Sequence, residues 1–413
     1  MVRTYIIMEQ LSYEKGKFHQ FYRHGEHRFV FMLDERYHQL FPEEYLDYFD
    51  RIEVVQDYTY ENARELVIDE LKRVASPEEI RLVCIDESNL LLVGRLREEF
   101  NIPGATYEQL LPFRDKVKMK ETLSDKSIRV PRFYLPSIGE SSEEVLRLIQ
   151  TNIGFPIIAK PVDGLGSRNT YEIFTEAEFR DFCSNEQYWR SFEFEELILG
   201  TFYHCDSVVV DGQIQIAEVS QYTIPCLEFM KGRMLGSHLL MEGDKIRERI
   251  QTLNKQVIQS LCSWTCVTHL EVFHTLDDEL IFIEIAARPA GSSIPLSIQN
   301  GIGINLNEVA YRIEFNMPIE LDRKPLLPSA WISFPFTQEG IVRKRIEPIL
   351  RSDAKFLWKV DVGERVSSAS ASFQASLEIL LSNPNQELLL EDIEYLKSVQ
   401  VIEVDAINTT NKA

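Results

Sequence analysis

The fold of this chain turns on the stretch Phe155-Pro156-Ile157-Ile158-Ala159-Lys160-Pro161-Val162-Asp163-Gly164-Leu165-Gly166-Ser167. Its apolar, branched beginning predicts a strand over 155–160 that ends on a lysine. A turn with two glycines and a serine follows at once. Glycine lets backbone N–H groups approach a phosphate closely, and a lysine adds a compact positive charge for its oxygens. Because the lysine precedes the glycines, this is not the Gly-x-x-x-x-Gly-Lys-Ser/Thr phosphate loop. Taken alone, a hairpin turn carrying a surface lysine is the plain alternative.

A second signal lies downstream. His269-Leu270-Glu271-Val272-Phe273 and Leu280-Ile281-Phe282-Ile283-Glu284-Ile285-Ala286-Ala287-Arg288-Pro289 predict a hairpin across 276–279. Charged groups at interior positions of apolar strands are costly unless paired or metal-bound. Two carboxylates on adjacent strands, Glu271 and Glu284, can share Mg²⁺, which takes hard oxygen ligands together with substrate phosphates. Arg288 can then reach a phosphate or a developing oxyanion near that ion. A salt-bridged hairpin edge is the structural alternative.

On the N-terminal side, strands over 4–8, 28–33, 52–55 and 80–85 alternate with helices over 61–74 and 89–100. That alternation implies a mainly parallel sheet covered on both faces, with ligands gathering at the strand carboxyl ends. Asp86 follows the last of these strands and either faces that crevice or caps the next helix. Between 114 and 303, helices over 115–124, 142–151 and 246–266 are mixed with strands over 129–135, 155–160, 171–174, 192–199 and 203–211, an α+β pattern. The C-terminal part is β-rich, with strands over 330–334 and 357–362 and a closing helix over 387–398. The fold class is therefore α/β and α+β. An N-terminal α/β domain (1–112) precedes a two-lobed region (113–322), a β-rich piece packed on it (323–405) and a polar tail (406–413) that reads as disordered.

The length of 413 residues predicts two or three domains, and 44% hydrophobic residues are enough to build their cores. Asp and Glu (65) outnumber Lys and Arg (44), a net charge of -21. Such a surface repels phosphate backbones and anionic lipid, so nucleic acid and membrane are not expected partners. No apolar run approaches the ~18–20 residues of a membrane span, and residues 1–18 do not read as a signal peptide, so a cytoplasmic protein is expected. None of the six cysteines forms a Cys-x-x-Cys pair, and zinc spacing is absent. Cys262 and Cys266 read as buried thiols in a helix. His204 and His269 read as hydrogen-bonded structural histidines. The basic, glycine-punctuated stretch 229–238 reads as a loop, either mobile over substrate or simply solvated. Gly291-Ser292-Ser293 offers N–H groups to a phosphate or carboxylate.

As an ordered set, these features resemble the ATP-grasp superfamily over most of the chain. The resemblance implies that Arg114-Asp115-Lys116-Val117-Lys118-Met119-Lys120 is the first basic element, with Lys116 on ATP. It implies that Lys160 is the second phosphate lysine and that Gly164, Gly166 and Ser167 belong to the covering loop. Glu195, Glu196, Leu197 and Ile198 would form the adenine linker, and Asp206 would join the nucleotide-binding set. Glu271 and Glu284 would hold Mg²⁺ (or Mn²⁺), and Arg288 and Lys160 would be catalytic. Tyr203-His204-Cys205-Asp206, Asp211-Gly212 and the hairpin look most like the L-amino-acid (dipeptide) ligases. The implied reaction phosphorylates a small carboxylate with ATP, and an amine then displaces phosphate to form an amide; a homodimer is a further expectation. Two positions depart from the pattern. Many relatives carry Asn where Ala286 stands, and a ribose-binding Glu where Phe202 stands. These departures keep two alternatives open, a nucleotide-binding ATP-grasp protein without ligase activity and an ATP-grasp small-molecule kinase.

Overall fold

The computed structural model describes residues 2–9, 18–38, 41, 43–186, 188–369 and 374–405. The tail expected to be disordered, 406–413, lies outside the described residues. Four strands, β1 (Arg3–Met8), β2 (His27–Asp34), β3 (Arg51–Val55) and β4 (Ile80–Val83), form a parallel sheet in the order β3-β2-β1-β4. Helix α1 (Tyr60–Leu71) is capped by the Thr59 hydroxyl and buries Ala63, Leu66 and Val67 against one face. Helix α2 (Leu90–Phe100) joins it there and stops where Asn101 turns left-handed. The opposite face is aromatic and is closed from far along the chain: Tyr311 and Phe315 pack on Phe18, Phe21, Phe29 and Phe31.

Helix α3 (Lys116–Ser124) leads to a small antiparallel sheet of β5 (Phe133–Tyr134), β6 (Ile157–Pro161), β7 (Tyr171–Ile173) and β8 (Phe192–Glu196), ordered β5-β8-β6-β7. Helices α4 (Ser142–Asn152) and α5 (Glu176–Asn185) cover one of its faces through Val145, Ile149, Phe179 and Phe182. The strand read over 129–135 shrinks to two residues, consistent with Pro131, which has no N–H for a ladder.

The largest sheet has eight strands. Its members are β9 (Gly200–Val210), β10 (Gln213–Tyr222), β11 (Leu235–Leu239), β12 (Cys266–Thr275), β13 (Leu280–Ala286), β14 (Ser329–Pro335), β16 (Asp353–Trp358) and β18 (Ala375–Ser382). They run in the order β13-β12-β9-β10-β11-β14-β18-β16. Helix α6 (Lys245–Leu261) covers one face through Ile250, Val257 and Ile258, which pack against Cys205, Val209 and Leu270. Helices α7 (Ile294–Ile302) and α8 (Leu306–Glu314) cover the other. The C-terminal piece therefore continues this sheet by hydrogen bonding. Strands β15 (Gly340–Arg345), β17 (Arg365–Val366) and β19 (Ile402–Asp405) make a separate small sheet beside helix α9 (Gln386–Leu396).

Two expectations are corrected here. The stretch 229–238 is not an open loop: residues 226–231 form a 3₁₀ turn, and β11 is wedged between β10 and β14. Gly236 there serves close approach, since a Cβ would meet the Trp331 carbonyl oxygen at 2.5 Å. The helix read over 246–266 ends at Leu261, and Cys266 already belongs to β12. Cys262 and Cys266 are buried as expected, but Cys262 just past the helix end and Cys266 at the start of β12.

Candidate functional site

Glu271 of β12 and Glu284 of β13 are direct cross-strand partners, so both carboxylates lie on the same face of the sheet. Like charges placed opposite one another are destabilising unless cations answer them. The first answer comes from α3, where Lys116 Nζ lies 3.4 Å from a Glu284 oxygen. Asp115 fixes the start of that helix, accepting from the N–H groups of Val117 and Lys118 at 2.9 and 2.8 Å. Burial pushes the Glu284 carboxyl up, but Lys116 and Lys160 outweigh it and hold the pKa below its ordinary value. Lys116 also donates to the Gly164 carbonyl at 2.6 Å, and its backbone N–H donates to Val162 O. The glycine turn after β6 thus lies against Lys116. Within it Gly166 and Ser167 both adopt the left-handed region, at φ 60° and 56°, a conformation that is free for glycine and uncommon for serine.

Lys160 ends β6 beside β8. Its Nζ is 2.6 Å from Glu195 Oε1 and 3.9 Å from Glu193 Oε1. Lys120, fully buried, closes the quartet at 2.6 Å from Glu193 and 2.7 Å from Glu195. Burial opposes the charge on Lys160, yet Glu195, Glu193 and Glu284 prevail and raise its pKa. The ammonium therefore stays charged in a largely water-excluded place, as a phosphate ligand must. Glu196 points away from this quartet, to Arg129 and Arg132 at 3.0 and 3.2 Å. Leu197 hydrogen-bonds back to Pro156 O, and Ile198 is buried.

Arg288 leaves β13 and turns to the N-terminal sheet. Its Nε donates to Glu87 at 2.6 Å and its Nη1 to Pro289 O at 2.7 Å, with a second guanidinium contact to Glu87. Arg114 holds the other Glu87 oxygen at 2.5 Å and donates to Asp163 O at 2.7 Å. Burial alone would push the Glu87 carboxyl up, but Arg288 and Arg114 overcome it and hold it at about 2. Asp86, next to it, caps the turn before α2.

Asp206 is placed differently from the nucleotide role expected of it. It is fully buried, with its oxygens 2.6 Å from His204 Nδ1 and 2.8 Å from His269 Nδ1. Both of its acceptor atoms are engaged, so it presents histidine rather than itself. Burial disfavours charge on His269, but Asp206 and Glu271 raise its pKa to about 10. Ser293 donates to Glu378 at 2.8 Å.

Glu271 and Glu284 fit a hard divalent cation: both are carboxylates, paired in register, and the contacts among the described residues fall on one Glu271 oxygen, Oε1. The structure brings Lys116, Lys160, Gly164, Glu195 and Glu284 together through this network of contacts. It separates Glu196 and Asp206 from it. The sequence reading passed over Glu193, Lys120 as a partner, Glu87 and Tyr222. The alternation Phe192-Glu193-Phe194-Glu195 was a usable sign, because a period of two puts both acids on one face. Glu87 carried no such sign, since its partner Arg288 lies 201 residues away.

No family model matches the chain. Over 289 residues it is 29% identical to an L-arginine-specific L-amino acid ligase of Bacillus subtilis, covering 68% of each protein. Among solved structures it superposes on an L-amino acid ligase from Bacillus licheniformis with a TM-score of 0.75 at 14% identity, over 99% of both chains. The biotin carboxylase domain of a Hydrogenobacter thermophilus 2-oxoglutarate carboxylase, solved with MgADP and bicarbonate, gives 0.68 at 14% identity over 98% of this chain and 91% of that one. A phosphoribosylglycinamide synthetase from Anaerococcus prevotii gives 0.66 at 14% identity over 98% and 100%.

Proposed function

We infer that this chain, an ATP-grasp protein by its fold, is an ADP-forming ligase that joins a carboxylate to an amine, and that both substrates are amino acids. The observation that carries the reading is the register-matched pair Glu271 and Glu284, facing Lys116 and reached by the field of Lys160. The similarity to the Bacillus subtilis enzyme supports the choice of amino acids.

Glu271 and Glu284 would hold Mg²⁺, with Mn²⁺ as a substitute. The bound ion supplies charge neutralisation at the transferring phosphoryl group. Lys160 stays charged, and Lys116 and Lys160 would bind phosphate oxygens. For Lys116 this means exchanging the Gly164 carbonyl for a phosphate, so the turn over 164–167 closes on nucleotide rather than on the lysine. Arg288, whose fork is tied to Glu87 and to the Pro289 carbonyl, would meet a carboxylate or the oxyanion of amide formation by exchanging one of those contacts. Closure on the substrates would have to exclude water, which would otherwise hydrolyse an acyl phosphate. The phosphoryl group passes from ATP to a carboxylate oxygen, and phosphate then leaves as the amine adds.

The same reading sets the protein in the cytoplasm as a homodimer. The biotin carboxylase neighbour, described as a dimer, supports the second part; no helix among the described residues is long and apolar enough to cross a membrane. The test is ADP release by the purified protein with Mg²⁺ against pairs of amino acids, with products identified by mass. ADP, phosphate and an amide only when both substrates are present supports the ligase. A stable phosphorylated product from one substrate identifies a kinase instead. Nucleotide binding without ADP in any pair leaves a binding protein.

A further inference from the structure

The position that departs most visibly from the expected pattern, Phe202, is 6% exposed and sits in a column of rings. Phe202 stacks on Phe273 with centroids 4.3 Å apart and on Tyr222 with centroids 5.0 Å apart and planes 17° apart. Phe202 thus has a ring stacked on each side, and a ring held in this way resists reorientation. The Tyr222 hydroxyl is thereby aimed, and it donates to Glu271 Oε1 at 2.9 Å. From the other side His269 Nε2 approaches the same oxygen at 3.5 Å. His269 is itself oriented: Asp206 takes its Nδ1, and the second Asp206 oxygen takes His204. His204 Nε2 meets Ser237 Oγ at 2.8 Å, and Ser237 accepts from Trp331 Nε1 at 2.7 Å. A buried polar chain thus runs from β14, in the C-terminal piece, to one oxygen of Glu271.

We propose that Tyr222 and His269 are positioning residues that pin Glu271 by Oε1 and so present Oε2 to the divalent cation, with Phe202 and Asp206 fixing the two donors. The proposal rests on the reading of Glu271 as a metal ligand. An ionised carboxylate carries two oxygens and turns readily about its last bond. Tyr222 donating to one oxygen, with the Cys226 thiol at 3.9 Å and His269 Nε2 at 3.5 Å from the same atom, sets which oxygen is offered and in which direction. Loss of such a partner to a metal ligand typically weakens metal binding by about 10- to 100-fold.

The experiment measures Mn²⁺ binding to the full chain with ADP present, by the electron paramagnetic resonance signal of free Mn²⁺, for Tyr222→Phe, His269→Gln and Glu271→Gln. Tyr222→Phe deletes one hydroxyl and keeps the ring stack, so the fold is preserved; the thermal midpoint without nucleotide checks this in each variant. We expect Mn²⁺ affinity to fall at least about 10-fold in Tyr222→Phe and in His269→Gln. In ADP-release assays the Mg²⁺ half-saturation should rise while the rate at saturating Mg²⁺ is largely recovered, a split that a general loss of structure would not produce. If Glu271→Gln weakens Mn²⁺ binding but Tyr222→Phe and His269→Gln stay within twofold of wild type, the positioning role is overturned and the metal site stands. If Glu271→Gln itself leaves Mn²⁺ binding unchanged, the metal-ligand reading falls and takes the proposal with it.

Discussion

Lys160 keeps its charge because Glu195, Glu193 and Glu284 surround it, although burial works the other way. A cation stabilised by fixed carboxylates is ready for a polyanion without further reorganisation. Lys160→Ala should therefore abolish ADP formation and remove most of the thermal stabilisation given by MgATP, while Lys120 still answers both carboxylates and the fold survives. Equal stabilisation of wild type and variant by MgATP would take Lys160 out of the phosphate site. Arg288 is a different kind of residue, since its fork is already shaped by Glu87 and Pro289. Lysine cannot reproduce that fork. Arg288→Lys should leave ATP affinity nearly intact and lower kcat by about 10²–10³, the usual cost of losing a donor aimed at a developing oxyanion. An unchanged kcat with a raised KM would make Arg288 a substrate-binding residue only.

Among the elements, β11 shows how a local signal misleads. Its Gly236 and the neighbouring basic residues look like loop punctuation, but the strand is central in an eight-stranded sheet. The glycine is there because the chain passes against the Trp331 backbone with no room for a methyl group. Gly236→Ala should destabilise by about 1–3 kcal/mol, as overpacking in a closed core does. Urea denaturation is the measurement, and a midpoint equal to wild type would show that the strands can part at little cost. The hairpin β12–β13 was readable for the opposite reason. Its charged residues interrupt otherwise apolar strands at intervals that put Glu271 and Glu284 on one face, and the observed register pairs them directly.

At the scale of the molecule, the N-terminal sheet is joined to the β12–β13 hairpin through Glu87, which ties Arg114 and Arg288 together. Its carboxyl is held down to about 2 from an ordinary 4.5. A depressed carboxyl contributes stability that is fully present above the unfolded value and is lost as pH falls through the folded one. The window is therefore pH 4.5 down to about 2. At about 1.4 kcal/mol per pKa unit, the contribution is on the order of 3 kcal/mol. Glu87→Gln should lower the thermal midpoint near neutral pH, because two largely buried guanidinium groups lose their counter-charge. It should also flatten the acid limb of stability between pH 4.5 and 2. A variant with the same acid limb as wild type would show that Glu87 does not carry this coupling.

The N-terminal strands and helices, the glycine turn after Lys160 and the acidic hairpin were legible from periodicity and local residue chemistry, because their causes lie within a few neighbouring residues. So was the ATP-grasp fold, through the resemblance carried by an ordered set of such local signals. The partners of those residues were not legible. That Arg288 meets Glu87, that Asp206 meets His269, and that Phe202 stacks on the tyrosine that donates to Glu271 all depend on side chains brought together across different strands. The same holds for the C-terminal strands that extend the central sheet and for the aromatic closure of the N-terminal sheet by Tyr311 and Phe315. Sequence pattern specifies which face of an element is apolar or charged; only the packing of elements selects which of many compatible faces meets it.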